Sequence, residues 1–396
     1  MTAASPASVP SPASSRLDSV DLLRGLVMVV MALDHTRDFF HFGAIHGIDP
    51  GDLARTTPAI FFTRWITHFC APVFSFLAGT GVFLAAMRGK TKRELSWFLV
   101  TRGIWLILLE LTYGYFVLTF SIGLHFNIAL VLWSLGWSMI VLAALIHLPL
   151  WAIAAFGLTL IVGHNAFDHV TPQSWGAWAW LWQVLHVQGI VKVSSGFLLF
   201  VAYPLVPWLG VMACGYVFGA IFRLEPAVRK KWLFRLGLGL TAAFVLLRLG
   251  NIYGDPRPWS AQPRAGFTLL SFLNTAKYPP SLSFLLMTLG PAILLLGWLE
   301  GRTPAALRPA LIFGRVPLFY YLLHFPLVHA LAALLHWFQW GRPDLASGAQ
   351  NPPAGAGVGL VGVYIAWLLV VVAVYPACRW FAELKRRRRD AWLSYL

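Results

Sequence analysis

The sequence predicts an all-α polytopic membrane protein of about ten transmembrane helices, and three observations predict it. Of the 396 residues 58% are hydrophobic and only 11% are charged, against about 25% charged in a soluble domain. Mean hydropathy is +0.70. Apolar stretches long enough to cross about 30 Å of hydrocarbon recur along nearly the whole chain. The net charge of +15 does not point to nucleic acid, because the basic residues alternate with apolar spans and form no continuous patch.

Residues 1–15 are rich in Ser, Pro and Ala, with neither a basic nor an apolar signal region, and read as a disordered tail. Residues 16–380 form the membrane domain, and 381–396 a basic cytoplasmic tail. Ten spans are readable, at about 20–40, 59–87, 97–119, 126–146, 148–164, 198–222, 234–252, 281–300, 311–337 and 357–378. The fourth and fifth are nearly fused at His147-Leu148-Pro149. With ten spans, Arg16, the run Arg88–Arg93, the group Arg223, Arg229, Lys230 and Lys231, the pair Arg302 and Arg308, and the run Lys385–Arg389 all fall on one side. The excess of Lys and Arg makes that side the cytoplasm. The protein is thus expected in the cytoplasmic (inner) membrane with both termini inside. On the other side, residues 175–186 hold four tryptophans, and Trp178, Leu181, Trp182 and Leu185 fall at helical spacing. This reads as an amphipathic helix at the interface.

The first span carries the chemistry. Asp21 and Arg24 sit near its start, and Asp34, His35, Arg37, Asp38 and His41 crowd its far end. Ionisable groups in hydrocarbon are costly and face a bundle interior or a water-filled cavity. At 100° per residue Arg24 and His35 are nearly eclipsed, with Asp21, Met28, Met31 and Asp38 close to the same line. Asp21 and Arg24 can pair at i, i+3. Asp38 is in reach of His35 or His41 at the same spacing, and a carboxylate beside an imidazole can set up a general base. Arg64 and His68 on the second span, Glu110 and Arg102 on the third, Lys277 ahead of the eighth, and Arg315 and His324 on the ninth are further polar groups in or beside spans. His329 and His336 read as packing residues. Cys70, Cys214 and Cys378 lie in different spans with no metal spacing, and no metal is expected. No P-loop, GxGxxG or GxSxG is present.

Several motifs resemble one family. These are Ser19-Val20-Asp21-Leu22-Leu23-Arg24-Gly25, the Met31–His41 run, His68-Phe69-Cys70-Ala71-Pro72-Val73-Phe74, Leu135–Met139, Asn274–Ser281, Phe313–Tyr321 and Asp390–Leu396. They are similar to the bacterial relatives of the catalytic domain of heparan-alpha-glucosaminide N-acetyltransferase. The resemblance implies a transmembrane acyltransferase that takes acyl-CoA, in the simplest case acetyl-CoA, from the cytoplasm and an acceptor from the far side. Counted without gaps from Arg24-Gly25, the lysosomal enzyme's catalytic histidine falls on His46, and an asparagine of its centre on His35. A gap would move the role to His41, and the wider family of integral-membrane acyltransferases favours His35. The base is therefore expected at His35, His46 or His41, oriented by Asp38 or Asp34. Arg24, Arg102 and Arg315 are expected to hold the acyl-CoA, and Arg37, His68, Lys277 and His324 to line the acceptor cavity. The long outer domain of the lysosomal relatives has no counterpart here, which argues against a large polysaccharide acceptor. Expected partners are the lipid bilayer, the acyl donor and a sugar or envelope acceptor, with homo-oligomerisation left open. Two rival classes use the same residues, a proton-coupled transporter relaying protons through the Asp/His cluster and a membrane scaffold in which the charges are structural.

The orientation gives a first prediction. A reporter active only outside the cytoplasm, fused after Leu396, should stay silent, and activity there would require an odd number of spans.

Overall fold

The structure is a computed structural model in which residues 17–122, 125–388 and 390–396 are described. The tail expected over 1–15, Arg16, and Arg389 of the terminal basic run lie outside the described residues.

Helix α1 (Asp18–Phe40) opens the fold and a short α2 (Phe42–Ile45) follows it. The second apolar stretch is two helices, α3 (Pro58–Thr67) and α4 (Cys70–Met87), broken at His68-Phe69. Pro58 starts α3, where a missing N–H costs nothing, and the Thr57 hydroxyl caps it. A capping box between Thr91 and Glu94 starts α5 (Lys92–Leu109). A π-helical turn at Glu110–Gly114 then leads into α6 (Tyr115–Thr119). Helices α7 (Val131–Leu145) and α8 (Leu150–Gly163) are separated at the expected break, with Pro149 as the N-cap of the second.

After α8 come α9 (Ala179–Leu185), α10 (Leu205–Phe218), α11 (Pro226–Gly250), α12 (Phe267–Leu273), α13 (Leu282–Leu299), α14 (Arg308–Arg315), α15 (Pro317–Trp340) and α16 (Leu360–Arg387). Eight continuous helical stretches are long and apolar enough to cross a membrane, by length and composition, among the described residues. The other two expected spans correspond to α1, which is 23 residues long but interrupted by charge, and to α7, a shorter apolar helix of 15 residues. A spanning helix takes about 17–25 residues.

Two sequence expectations change. Residues 126–129 and 198–201, read as helix ends, belong to a small sheet in which β1 (Phe126–Ala129) runs parallel to β3 (Phe197–Val201), and β3 pairs antiparallel with β2 (Gly189–Ser194). Phe, Ile and Val in these segments suit a pleated surface, and Ser195-Gly196 supplies the turn between β2 and β3. The tryptophan-rich helix is also shorter than its spacing suggests. A 3-10 segment, Pro172–Trp178, precedes the seven residues of α9. Of its expected apolar stripe only Trp182 is buried, with its indole N–H donating to the Val170 carbonyl at 2.9 Å.

Helix packing runs through facing glycines. Gly25 of α1 meets Gly314 of α14, Gly79 of α4 meets Gly215 of α10, Gly103 of α5 meets Gly136 of α7, and Gly157 of α8 meets Gly210 of α10. Small residues let helix backbones approach closely where lipid supplies no hydrophobic drive. At one end of the bundle Glu300 accepts from the Ser19 hydroxyl at 3.0 Å and pairs with Arg229, which joins α1, α11 and α13.

The tightest crossing is α1 with α14. A Cβ on Gly25 would sit 1.8 Å from the Ala310 carbonyl oxygen, and one on Gly314 would sit 1.8 Å from that of Asp21. Gly25→Ala and Gly314→Ala should each lower the thermal unfolding midpoint in detergent, at the upper end of the ~1–3 kcal/mol range for overpacking. Gly239→Ala, where nothing lies within 4 Å, should leave the midpoint within error of wild type.

Candidate active site

One line of α1 faces a cavity of about 340 Å³ inside the bundle. Of the six residues predicted to share a helical stripe, Arg24, Met28, Met31 and His35 line it, and Asp21 and Asp38 do not. Its walls between are apolar, with Leu77, Leu99, Leu106 and Met139 among them. Arg24, Arg102, Lys385 and the terminal Leu396 line one end, where Arg102 lies within electrostatic reach of Arg24. Asp34, His35, Lys277 and Tyr203 line the other. Eleven residues of α1 separate Arg24 from His35, about 17 Å at 1.5 Å per residue. A second, more polar space beside Arg24, about 470 Å³ and lined by Asp21, Gly81 and Arg88, continues from that end.

At the far end the charges form one network centred on Asp34. Its carboxylate takes a two-oxygen contact from Arg64 at 2.5 and 2.7 Å, the Thr67 hydroxyl at 2.9 Å, Arg37 at 3.3 Å and Lys277 at 3.8 Å. Both contacts come from one guanidinium nitrogen, and such charge-assisted bonds are stronger than neutral ones. Arg37 also reaches Asp38 at 2.5 Å. Three cations thus face two carboxylates, an excess of one positive charge. Lys277 is carried on a loop fixed by Asp255, which accepts from the Ala276 N–H at 3.0 Å and the Ser281 hydroxyl at 2.6 Å, with Arg248 beside it at 3.8 Å.

The histidines separate into different roles. His324, fully buried on α15, has Nδ1 2.8 Å from the Tyr320 carbonyl, so Nδ1 carries the proton and Nε2 is left as a lone pair. That lone pair lies 2.9 Å from Nδ1 of His35, which must therefore donate to it. The two rings are stacked, with centroids 5.1 Å apart and planes within 5°. This sequence of bonds makes Nε2 of half-buried His35 an unprotonated nitrogen on a side chain that lines the cavity. The tautomers follow from the hydrogen-bond partners.

The expectation that Asp38 or Asp34 orients the base changes accordingly. Asp38 turns to Arg37, with its side chain about half exposed at 47%, and Asp34 serves the cations. The guanidinium groups hold the carboxylates, and the residue hydrogen-bonded to His35 is His324. His41 lies just past α1, where its Nδ1 accepts from the Gly43 N–H at 3.0 Å and caps α2. Burial, and then the nearby Arg37 charge, hold the His41 imidazole below its usual range. The ring nitrogens of His46 face the carbonyls of Phe42 at 2.8 Å and Pro353 at 3.1 Å. Neither His41 nor His46 lines the cavity. His68 is buried against Phe284, with Nδ1 lacking a partner, and is likewise outside the lining. Arg315 is not brought to the cavity either, because it pairs with Asp18 at 3.2 Å. The Asp21–Arg24 pair is present at 3.1 Å. Tyr321 and Lys385 also line the cavity, and sequence reading held them only within the Phe313–Tyr321 motif and the terminal basic run.

A polytopic helical membrane protein with a buried channel, cationic at one end and histidine-bearing at the other, is the class that fold and site define. The family model described as heparan-alpha-glucosaminide N-acetyltransferase, catalytic, matches residues 16–251. The chain belongs to that family, and so to a group of membrane acetyltransferases, whose chemistry joins an acyl donor to an acceptor. The match contains α1, Arg64, His68 and Arg102 and ends before Lys277, Arg315 and His324. No curated protein matches the sequence.

Removing one partner from a buried ion network leaves the others uncompensated, at a cost of about 3–5 kcal/mol. Asp34→Asn should therefore lower stability on that scale in thermal or denaturant unfolding, whereas Asp38→Asn, whose carboxylate is half exposed, should cost much less. Equal losses would remove Asp34 from the centre of the network.

Proposed function

We propose that the protein transfers an acetyl group from cytoplasmic acetyl-CoA to a hydroxyl or amine of a small sugar or envelope component presented at the opposite membrane face. The observation that carries this reading is the continuous cavity from Arg24 and Arg102 to His35, with His35 Nε2 left unprotonated by its bond to His324. The Arg24 end is the cytoplasmic one if the basic loops set orientation as they commonly do. Arg24, Arg102 and Lys385 suit the phosphates of coenzyme A, and the apolar walls suit its extended thioester arm. Arg315, paired with Asp18, has no part in this reading.

In the reaction, His35 Nε2 takes the proton from the acceptor as its oxygen or nitrogen attacks the thioester carbonyl. The carbon–sulfur bond then breaks, and the coenzyme A thiolate leaves and is reprotonated from the imidazolium. His324 acts through His35 as a positioning residue, holding the tautomer and sharing the charge that forms. Lys277, beside Asp34, offers an N–H donor to the carbonyl oxygen as it gains charge, or to an acceptor hydroxyl.

The test is acetyl transfer or acetyl-CoA turnover by purified protein in detergent. His35→Ala should reduce the rate by about 10²–10⁴-fold, the usual value of general-base catalysis, with unfolding unchanged. His46→Ala should retain most activity, and Arg102→Gln should raise KM for the donor more than it lowers kcat. A nearly active His35→Ala beside an inactive His46→Ala would overturn the assignment of the base.

A further inference from the structure

A second cluster of chemically competent side chains stands apart from the cavity. His164 and Asp168 lie on the turn that ends α8, and His186 follows α9. Each offers one ligand atom, and these atoms all lie within 4.8 Å of one another. Both histidines are 2% exposed. His164 Nε2 and His186 Nδ1 are buried without a hydrogen-bond partner. The nitrogens that face each other are the other two, Nδ1 of His164 and Nε2 of His186.

We propose that His164, Asp168 and His186 form a binding site for a divalent transition-metal cation of the zinc type. Two imidazoles and one carboxylate are ligands such an ion accepts, with a fourth position left to water. The spacing agrees. Metal–nitrogen bonds of about 2.1 Å at a tetrahedral angle put two ligand nitrogens about 3.4 Å apart. Nδ1 of His164 and Nε2 of His186 are 3.4 Å apart. That distance is long for a hydrogen bond and suits an ion lying between them.

Ligation uses the lone pair of His186 Nε2, so its proton moves to Nδ1 and its 2.9 Å bond to the His164 carbonyl is given up. Asn165 serves the site from behind. Its amide N–H donates to Asp168 Oδ2 at 2.9 Å, and its carbonyl oxygen accepts from the Leu282 N–H at 2.9 Å, at the start of α13. A hydrogen-bonded ligand carboxylate is the usual support of a metal centre. Trp182 stacks on His186 with ring centroids 4.8 Å apart and covers one side. An ion here would join the end of α8, the turn after α9 and the start of α13.

The experiment uses the full chain, purified in detergent through a tag free of histidine and stripped with a chelator. Zinc chloride is titrated calorimetrically, and thermal unfolding is followed with and without zinc. Wild type should bind one zinc ion saturably and unfold at higher temperature in its presence. Asp168→Asn, which preserves size, should weaken binding at least about 10-fold, and His186→Gln should abolish it. Absence of saturable binding to wild type overturns the proposal, as does binding of wild-type affinity in Asp168→Asn. If His186→Gln does not yield a monodisperse protein, Asp168→Asn carries the test alone.

Discussion

The carboxylate of Asp34 is the interaction on which the far end of the channel depends. Arg37, Arg64 and Lys277 arrive from α1, α3 and the loop before α13, and each brings a positive charge into an interior that offers little water. Charges in such a place persist only when paired and hydrogen-bonded. Asp34 supplies both, taking one guanidinium nitrogen on its two oxygens and a hydroxyl at once. Three separate parts of the chain are thereby fixed around the residue next to His35. Lys277 can stand in the channel wall only because a carboxylate is already there to receive it.

The histidine pair adds a second constraint of a different kind. His324 is committed by its own backbone through the Tyr320 carbonyl, and this leaves one arrangement of protons for His35. In the proposed mechanism this neutral partner takes the place that a carboxylate has in a Ser-His-Asp triad.

Much of this was legible in the sequence, to the extent that local periodicity reaches. The apolar stretches marked the helices, Pro149 marked the break between α7 and α8, and the 3.6-residue period put Arg24, Met28, Met31 and His35 on one line. The same period anticipated the Asp21–Arg24 pair. What stayed hidden was every partner distant along the chain. His35 and His324 are 289 positions apart, Asp34 and Arg64 are 30 apart, and no periodic signal joins them. Local spacing instead offered Asp38 to the histidines, and a nearer guanidinium took it. The small sheet escaped because its strands are only four to six residues long and flank apolar helices, where they read as helix ends. His164 and His186 were too far apart in the chain to suggest a common centre.

Helix α1 runs without a proline from Asp18 to Phe40. Both ends of the channel are mounted on this one rod, so their separation is a built-in ruler. A molecule that touches Arg24 and His35 together must be stretched along roughly three helical turns at 3.6 residues per turn. A compact solute would meet one end or the other, never both. In the proposed reaction the rod would hold a long reagent extended while its tip reacts.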